Sequence, residues 1–109
     1  MLKKKYRFRP SFKKSHFLFL NSSTVSIKVL KNNLDFSRFA FVVSKKVHTK
    51  AVVRNKTKRT LANCIEKMFL NIKEGHDMIF FAKPALLVLQ EKDIYKHIRK
   101  QLDEKKLLK

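Results

Sequence analysis

Residues 44–59 form a segment in which seven residues are Lys or Arg and none is acidic. A continuous apolar run, FAFVV at residues 39–43, comes directly before it, and an apolar stripe at helical spacing comes after it. Because so many like charges cannot be buried in a core, this segment must connect two core elements along the surface of the fold. We call residues 44–59 the basic block.

The whole chain is also strongly basic, and the charge is unevenly distributed. It contains 27 Lys and Arg against 8 Asp and Glu, which gives a net charge of +19. Residues 1–59 hold 17 of the basic residues and one acid, so this half is near +16, whereas residues 60–109 are near +3. A polyanionic partner would relieve the self-repulsion of such a surface.

The apolar content predicts a folded domain behind this charge. Hydrophobic residues make up 44% of the 109 residues and ten residues are Phe, which is far more than a disordered basic tail would contain. No polar linker separates the basic half from the remainder. We therefore expect one domain over residues 1–109.

The apolar spacing predicts three strands. Residues 24–30 alternate between apolar and polar, which is typical of a half-buried strand. Residues 39–43 and 77–82 are short continuous apolar runs, which are typical of more central strands.

Two helices are predicted from apolar stripes. The stripes are Leu61, Ile65, Met68 and Ile72, and then Ile94, Ile98 and Leu102. Gly75 is expected to cap the first helix, and the second should span about 15 residues. The order strand, strand, helix, strand, helix predicts an α+β fold in which helices cover one side of a sheet.

Several classes of site are excluded by residues that the chain lacks. One glycine cannot form a glycine-rich phosphate loop, and the lone Cys64 can form neither an intrachain disulfide nor a multi-cysteine zinc site. The four His lack metal-ligand spacing and the eight acids are scattered, so we predict no catalytic or metal-ligating residue. With no membrane-length apolar run and no signal peptide, a cytoplasmic protein is expected.

The helical part of the basic block suits phosphate binding. Arg54 and Lys58 are four residues apart, as are Asn55 and Arg59, so like charges stack on one another unless an anion lies between them. Charge does not distinguish RNA from DNA, but aromatic side chains that stack on unpaired bases would favour single strands. The candidates for stacking are Phe12, Phe17, Phe19, Phe39 and Phe41, with core packing as the ordinary alternative for each.

The motifs in and after the basic block resemble those of the bacterial ribonuclease P protein subunit. FVVSKKV at residues 41–47 and AVVRNKTKR at residues 51–59 are similar to the family's Ser-Lys-Lys strand end and its Arg-Asn-Arg-x-Lys-Arg helix start. DMIFFAKPA at residues 77–85 resembles the family's next strand, with its Ala-Arg-Pro-Ala end. The resemblance covers residues 24–105.

This resemblance implies an accessory protein subunit of an endoribonuclease. In the family, the RNA subunit cleaves the 5′ leader from precursor tRNA with Mg²⁺, which is held mainly by RNA. The implied fold is a small two-layer α+β domain with a mixed sheet and a left-handed βαβ crossover. The implied partners are ribonuclease P RNA and precursor tRNA, with no membrane and no required protein partner.

The resemblance also assigns roles by position. The implied RNA contacts are Arg54, Asn55, Lys56, Lys58 and Arg59 in the helix and Ser44, Lys45, Lys46 and Lys50 in the connection before it. The implied candidates for the cleft that binds the 5′ leader are Lys83, Phe17 and Phe39.

Three features depart from the family pattern. Lys56 replaces the second Arg of the helix motif, which keeps the charge but loses the planar donor fork. Ala62 stands where a further Arg is often found. Residues 15–20 lack the acid, the Phe spacing and the glycine of the family's first helix, so residues 1–20 are expected to form a basic arm or a shortened first helix.

Other functions remain open from the sequence. A structural RNA-binding protein, such as a ribosomal protein, would use the same basic face. A self-sufficient nuclease would need clustered carboxylates, and residues 36–65 contain none. A protein of the membrane surface would need broader apolar helix faces than these stripes provide.

Overall fold

The structure of the chain is a computed structural model, which describes residues 2–9 and 17–109. The strands are β1 (Leu18–Asn21), β2 (Val25–Lys31), β3 (Arg38–Val42) and β4 (His76–Ala82), and the α-helices are α1 (Ala51–Met68) and α2 (Glu91–Glu104). Short 3-10 helices cover Lys4–Tyr6, Phe69–Asn71 and Pro84–Val88. No helix in the described ranges is both long and apolar enough to cross a bilayer.

The four strands form one mixed sheet in the order β1-β2-β4-β3. β2 pairs antiparallel with both neighbours, so that Ile27 lies opposite Leu20 of β1 and Phe80 of β4. β3 and β4 are parallel and are connected through α1, which makes these three elements a βαβ crossover. The mixed sheet and two helices confirm the predicted α+β class, and the left hand of the crossover stays a prediction.

Both helices bury their apolar stripes in one core against one face of the sheet. The stripe residues Leu61, Ile65, Met68, Ile94, Ile98 and Leu102 are all buried, together with Val25, Ile27 and Val29 of β2. Because side chains alternate along a strand, Lys28 and its partner Phe19 of β1 project to the opposite side, which we call the outer face.

Two elements differ from the sequence-based prediction. β1 was not predicted, because a strand of four residues is too short for a reliable alternation signal. The expectation that Gly75 caps the first helix was wrong, since α1 ends at Met68 and Ile72 already has an extended backbone. Gly75 instead adopts φ +82° just before β4, where its carbonyl accepts the N–H of Asn32 at 3.0 Å.

A partly buried ion pair fixes the amino ends of the parallel strands. Arg38 of β3 donates from Nε and Nη2 to the Asp77 carboxylate of β4, at 2.9 and 2.6 Å. Asn32 also donates to Asp77 Oδ1, at 2.9 Å, and this ties the β2–β3 connection to the same carboxylate. Hydrogen bonding to Asp77 raises the pKa of Arg38 above its already high value, so the guanidinium of Arg38 stays charged at neutral pH.

The core position Ile65 provides a test of the packing. Its side chain is 0% exposed, so Ile65→Ala should lower the free energy of unfolding by about 2–5 kcal/mol, through lost burial and an incompletely filled cavity. Urea denaturation followed by circular dichroism measures the change. Leu70→Ala is the control, because Leu70 is 81% exposed and should cost little. Equal stability of the two variants would contradict the assigned core.

Candidate nucleic-acid interface

The basic block begins at the carboxyl edge of the parallel strand pair. β3 ends at Val42 and β4 ends at Ala82, and because the strands are parallel both segments leave the sheet at the same edge. The connection formed by residues 43–50, the first turn of α1 and Lys83 are therefore brought to one edge of the domain. Sequence separation hides this juxtaposition, since Lys83 lies far from the block along the chain.

Backbone hydrogen bonds hold the connection in a defined turn. The N–H of Val47 donates to the Ser44 carbonyl at 3.0 Å, and the N–H of Lys50 donates to Nδ1 of His48 at 3.1 Å. Arg54 Nη1 donates to the carbonyls of His48 and Thr49 at 3.1 and 2.7 Å. Arg54 thus uses some of its N–H donors to position the connection, a role that the sequence did not indicate.

The remaining cations of the block are exposed and have no recorded carboxylate partner. Lys45, Lys46, Lys50, Lys56, Lys58 and Arg59 are exposed, as are Ser44 and Asn55. Within residues 2–9 and 17–109, the recorded ion pairs are Arg38–Asp77, Lys67–Glu91 and Lys109–Glu74, and all three lie outside the block. The block therefore presents uncompensated positive charge to solvent.

The cations of α1 do not all point in the same direction. Arg54 and Lys58 are one turn apart, and Asn55 and Arg59 follow on the adjacent strip of the helix. Lys56 lies on the other flank of α1, where it lines a groove beside the Pro84–Val88 helix and α2. Arg54 and Lys58 thus lie on the flank of α1 opposite Lys56, with Asn55 and Arg59 between the two flanks.

A second polar and aromatic strip runs along the outer face beside β1. Lys83 Nζ donates to Asn21 Oδ1 at 2.6 Å and to the Ser22 carbonyl at 2.5 Å, which ties the end of β4 to the β1–β2 turn. Farther along β1, Phe19 is 52% exposed and lies opposite Lys28, whose Nζ is 4.1 Å from the ring centroid of Phe17.

Two of the three predicted cleft residues lie in this strip, and the third does not. Phe17 is exposed and Lys83 is half-buried, whereas Phe39 is 0% exposed and packs 6.0 Å from the ring of Phe69. A ring without accessible surface cannot stack on a base, so the assignment of Phe39 to the cleft was wrong. Phe41 packs against Phe80 of the core, and Phe12 lies outside the described residues.

Sequence reasoning missed Lys28 in this strip. A single Lys in an alternating strand is an ordinary solvent-facing residue, so no sequence pattern distinguishes Lys28 from other surface lysines. Its significance comes from the pairing of β2 with β1, which sets its side chain beside two exposed rings. Phe19 was one of five Phe candidates, and pattern alone could not separate it from the core residue Phe39.

The described residues do not form a metal centre of their own. No group of three or more His, Cys, Asp or Glu comes together within residues 2–9 and 17–109. Cys64 is buried in α1, and its Sγ lies 3.7 Å from the Glu91 carbonyl oxygen. Burial, with a smaller effect of the nearby Glu91 charge, raises the pKa of the Cys64 thiol to about 11, so this thiol is protonated at neutral pH.

Comparison with known proteins gives a consistent result. The family model described as Ribonuclease P matches residues 1–106. The chain is 35% identical over 102 residues to the ribonuclease P protein component of Fusobacterium nucleatum, covering 94% of this chain and 89% of that protein. It is 37% identical over 99 residues to the corresponding protein of Clostridioides difficile, with 90% and 84% covered.

The fold is also shared with solved structures. A mutant ribonuclease P protein from Staphylococcus aureus superposes with a TM-score of 0.82 at 24% identity, covering 95% of this chain and 91% of that one. The ribonuclease P protein of Thermotoga maritima gives a TM-score of 0.75 at 23% identity, with 81% and 83% covered. These likenesses show a common fold.

The raised pKa of Cys64 leads to a prediction about thiol reactivity. In the native protein at pH 8, Cys64 should react with a disulfide reagent such as Ellman's reagent at least a hundredfold more slowly than after unfolding in urea, because it is both buried and protonated. A Leu70→Cys variant supplies an exposed thiol as the control. Fast reaction of the native wild-type chain would contradict the assigned burial.

Proposed function

The chain belongs to the ribonuclease P protein family, the accessory protein subunits of the endoribonuclease that matures the 5′ end of tRNA, and we propose that its basic block contacts ribonuclease P RNA. The observation that carries this proposal is the exposed positive charge of residues 44–59, which have no recorded carboxylate partner. RNA phosphates would supply the negative charge that the basic block does not receive from carboxylates of the protein.

Different parts of the block would make different contacts. Lys58 and Arg59 are exposed on α1 and would bind phosphates, and Arg59 can do so through a planar donor fork. Asn55, on the same strip as Arg59, can donate and accept at a ribose or a base edge. Ser44, Lys45, Lys46 and Lys50 would extend this surface along the connection, which Arg54 holds in shape.

We further propose that the strip beside β1 receives the unpaired 5′ leader of precursor tRNA. Exposed Phe17 and Phe19 offer ring faces on which single-stranded bases can stack, and Lys28 supplies a nearby positive charge. Lys83, at the end of the strip nearest the basic block, keeps the β1–β2 turn in place and retains one free donor for the leader.

This division of labour places cleavage chemistry and Mg²⁺ on the RNA subunit. The described carboxylates do not cluster into a ligand set, so the protein would act by binding, by charge compensation and by orienting the leader. We also propose that the protein is cytoplasmic, as expected from the sequence, and that it requires no further protein partner. Family membership decides against the structural RNA-binding alternative.

Removing two charges from α1 tests the proposed RNA contact. Lys58→Gln combined with Arg59→Gln should weaken binding of ribonuclease P RNA by roughly tenfold or more and flatten the slope of log K against log salt by about two, because two phosphate contacts are lost. Filter binding at several salt concentrations measures both quantities.

The matched control removes the same charge from a different helix. Lys92→Gln combined with Lys96→Gln changes two exposed lysines of α2, and it should alter affinity much less. Circular dichroism should be native for both double variants. If the two lower affinity equally, the basic block is only a part of a diffuse positive surface, and the proposed contact is wrong.

The leader contact is tested by comparing two substrates. Phe19→Ser should reduce the preference of the reconstituted enzyme for precursor tRNA with a leader over mature tRNA by at least about fivefold, because a stacking surface is lost. Leu34→Ser, which removes another partly exposed apolar side chain outside the strip, should leave that preference unchanged. An unchanged preference in Phe19→Ser would remove Phe19 from the leader site.

A further inference from the structure

A groove of about 610 Å³ lies between the first half of α1, the Pro84–Val88 helix and the start of α2. Its lining includes Val53, Leu86, Leu87, Leu89 and Ile94, so much of its wall is aliphatic. The groove is separate from the strip beside β1, because the two share no lining residue.

The polar groups of the groove leave few free donors inside it. Thr57 and Thr60 also line the groove, but each hydroxyl donates to a backbone carbonyl one turn earlier, at 2.9 and 3.0 Å. The threonines therefore add methyl groups and acceptor oxygens to the wall rather than hydrogen-bond donors. A ligand in the groove must be mainly apolar where it is buried.

The rim of the groove is cationic where it meets the basic block. Lys56 and His48 both line it, and His48 accepts the Lys50 N–H at Nδ1, which leaves Nε2 as a donor in the neutral ring. The far end carries Glu91, but Lys67 lies 2.9 Å from that carboxylate and hydrogen-bonds to it, so the negative charge there is compensated.

Apolar side chains next to the groove are left uncovered by the chain itself. Val88, on the Pro84–Val88 helix that forms one wall, is 84% exposed, and Val52 on the first turn of α1 is 79% exposed. The basic block and the groove share four residues, so an anionic polymer held along the block would pass over the mouth of the groove; the shared residues are His48, Val53, Lys56 and Thr57. The occupant that fits this surface has an apolar flat part attached to an anionic chain.

We propose that an unpaired nucleotide of the RNA bound by the basic block inserts its base into this groove. The base would be buried against Val53, Leu87 and Leu89, and its flanking phosphate would be held by Lys56. This inference rests on the proposed function and extends it from phosphate contacts to a specific unpaired nucleotide. It also gives Lys56, which lies on the flank of α1 opposite Arg54 and Lys58, a distinct task.

Filling the groove tests the proposal. Thr60→Trp should lower affinity for ribonuclease P RNA by about tenfold, because the indole occupies the space of the base, while the salt slope should flatten by no more than about one, because Lys56 holds the only phosphate that moves with the base. Leu70→Trp adds the same side chain at an exposed site near the other end of α1 and should bind RNA normally. Wild-type affinity of Thr60→Trp, or a salt slope flattened by about two or more, would overturn the proposal.

Cross-linking identifies the occupant even if the Trp variant folds poorly. A Thr60→Cys variant can be labelled with benzophenone maleimide at pH 7, since the buried, protonated Cys64 should not react. Irradiation of the reconstituted holoenzyme should produce adducts at one unpaired nucleotide of ribonuclease P RNA, and an identically labelled Leu70→Cys variant should produce none there. Adducts spread over duplex regions, or the absence of RNA adducts, would overturn the base-binding role. Loss of the adducts in the presence of an acidic peptide alone would overturn it as well.

The two proposals fail in distinguishable ways. If only the groove inference is wrong, the Lys58→Gln and Arg59→Gln double variant still binds ribonuclease P RNA more weakly than the wild type and still shows a flattened salt slope. Failure of the proposed function leaves that double variant with the RNA affinity and salt slope of the wild type.

Discussion

The parallel pairing of β3 with β4 is the constraint on which the rest of the structure depends. Parallel neighbours cannot be joined by a tight turn, so the chain has to cross the sheet through α1 before it returns as β4. The crossover puts the start of α1 and the end of β4 at one edge, and it buries the second half of α1 against the sheet. The basic block occupies the part of this crossover that the core does not need.

The charge of the domain is separated from its core by position along α1. The first turns carry Arg54, Lys56, Lys58 and Arg59, and the buried residues dominate from Leu61 onward, so one helix presents charge to solvent and then packs against the sheet. The acids that form recorded ion pairs are used elsewhere, with Asp77 joining β3 to β4 and Glu91 joining α2 to α1. These ion pairs stabilise the fold away from the block, so the anion binding proposed there would not disturb them.

Sequence patterns predicted the elements whose periodicity is long and missed what depends on tertiary contacts. The apolar stripes that contain Leu61 and Ile98 predicted both α-helices, and the motifs within residues 41–59 identified the family. Short β1, the burial of Phe39 and the proximity of Lys28 to Phe17 follow from strand pairing, which no local pattern encodes. The hydrogen bond from Arg54 to the preceding loop could not be predicted for the same reason, because the charge of an Arg does not indicate which acceptor its guanidinium will contact.

The divided direction of the α1 cations bears on specificity. The phosphate contacts proposed for Lys58 and Arg59 would give affinity that depends on salt but reads no sequence or shape by itself. The proposed base site in the aliphatic groove beside them would reject a fully paired helix, whose bases are stacked inward, and would accept only a nucleotide that is free to leave the stack. On this proposal, cations on opposite flanks of α1 would let the same helix hold an RNA backbone and test, at Lys56, whether the base beside it is unpaired.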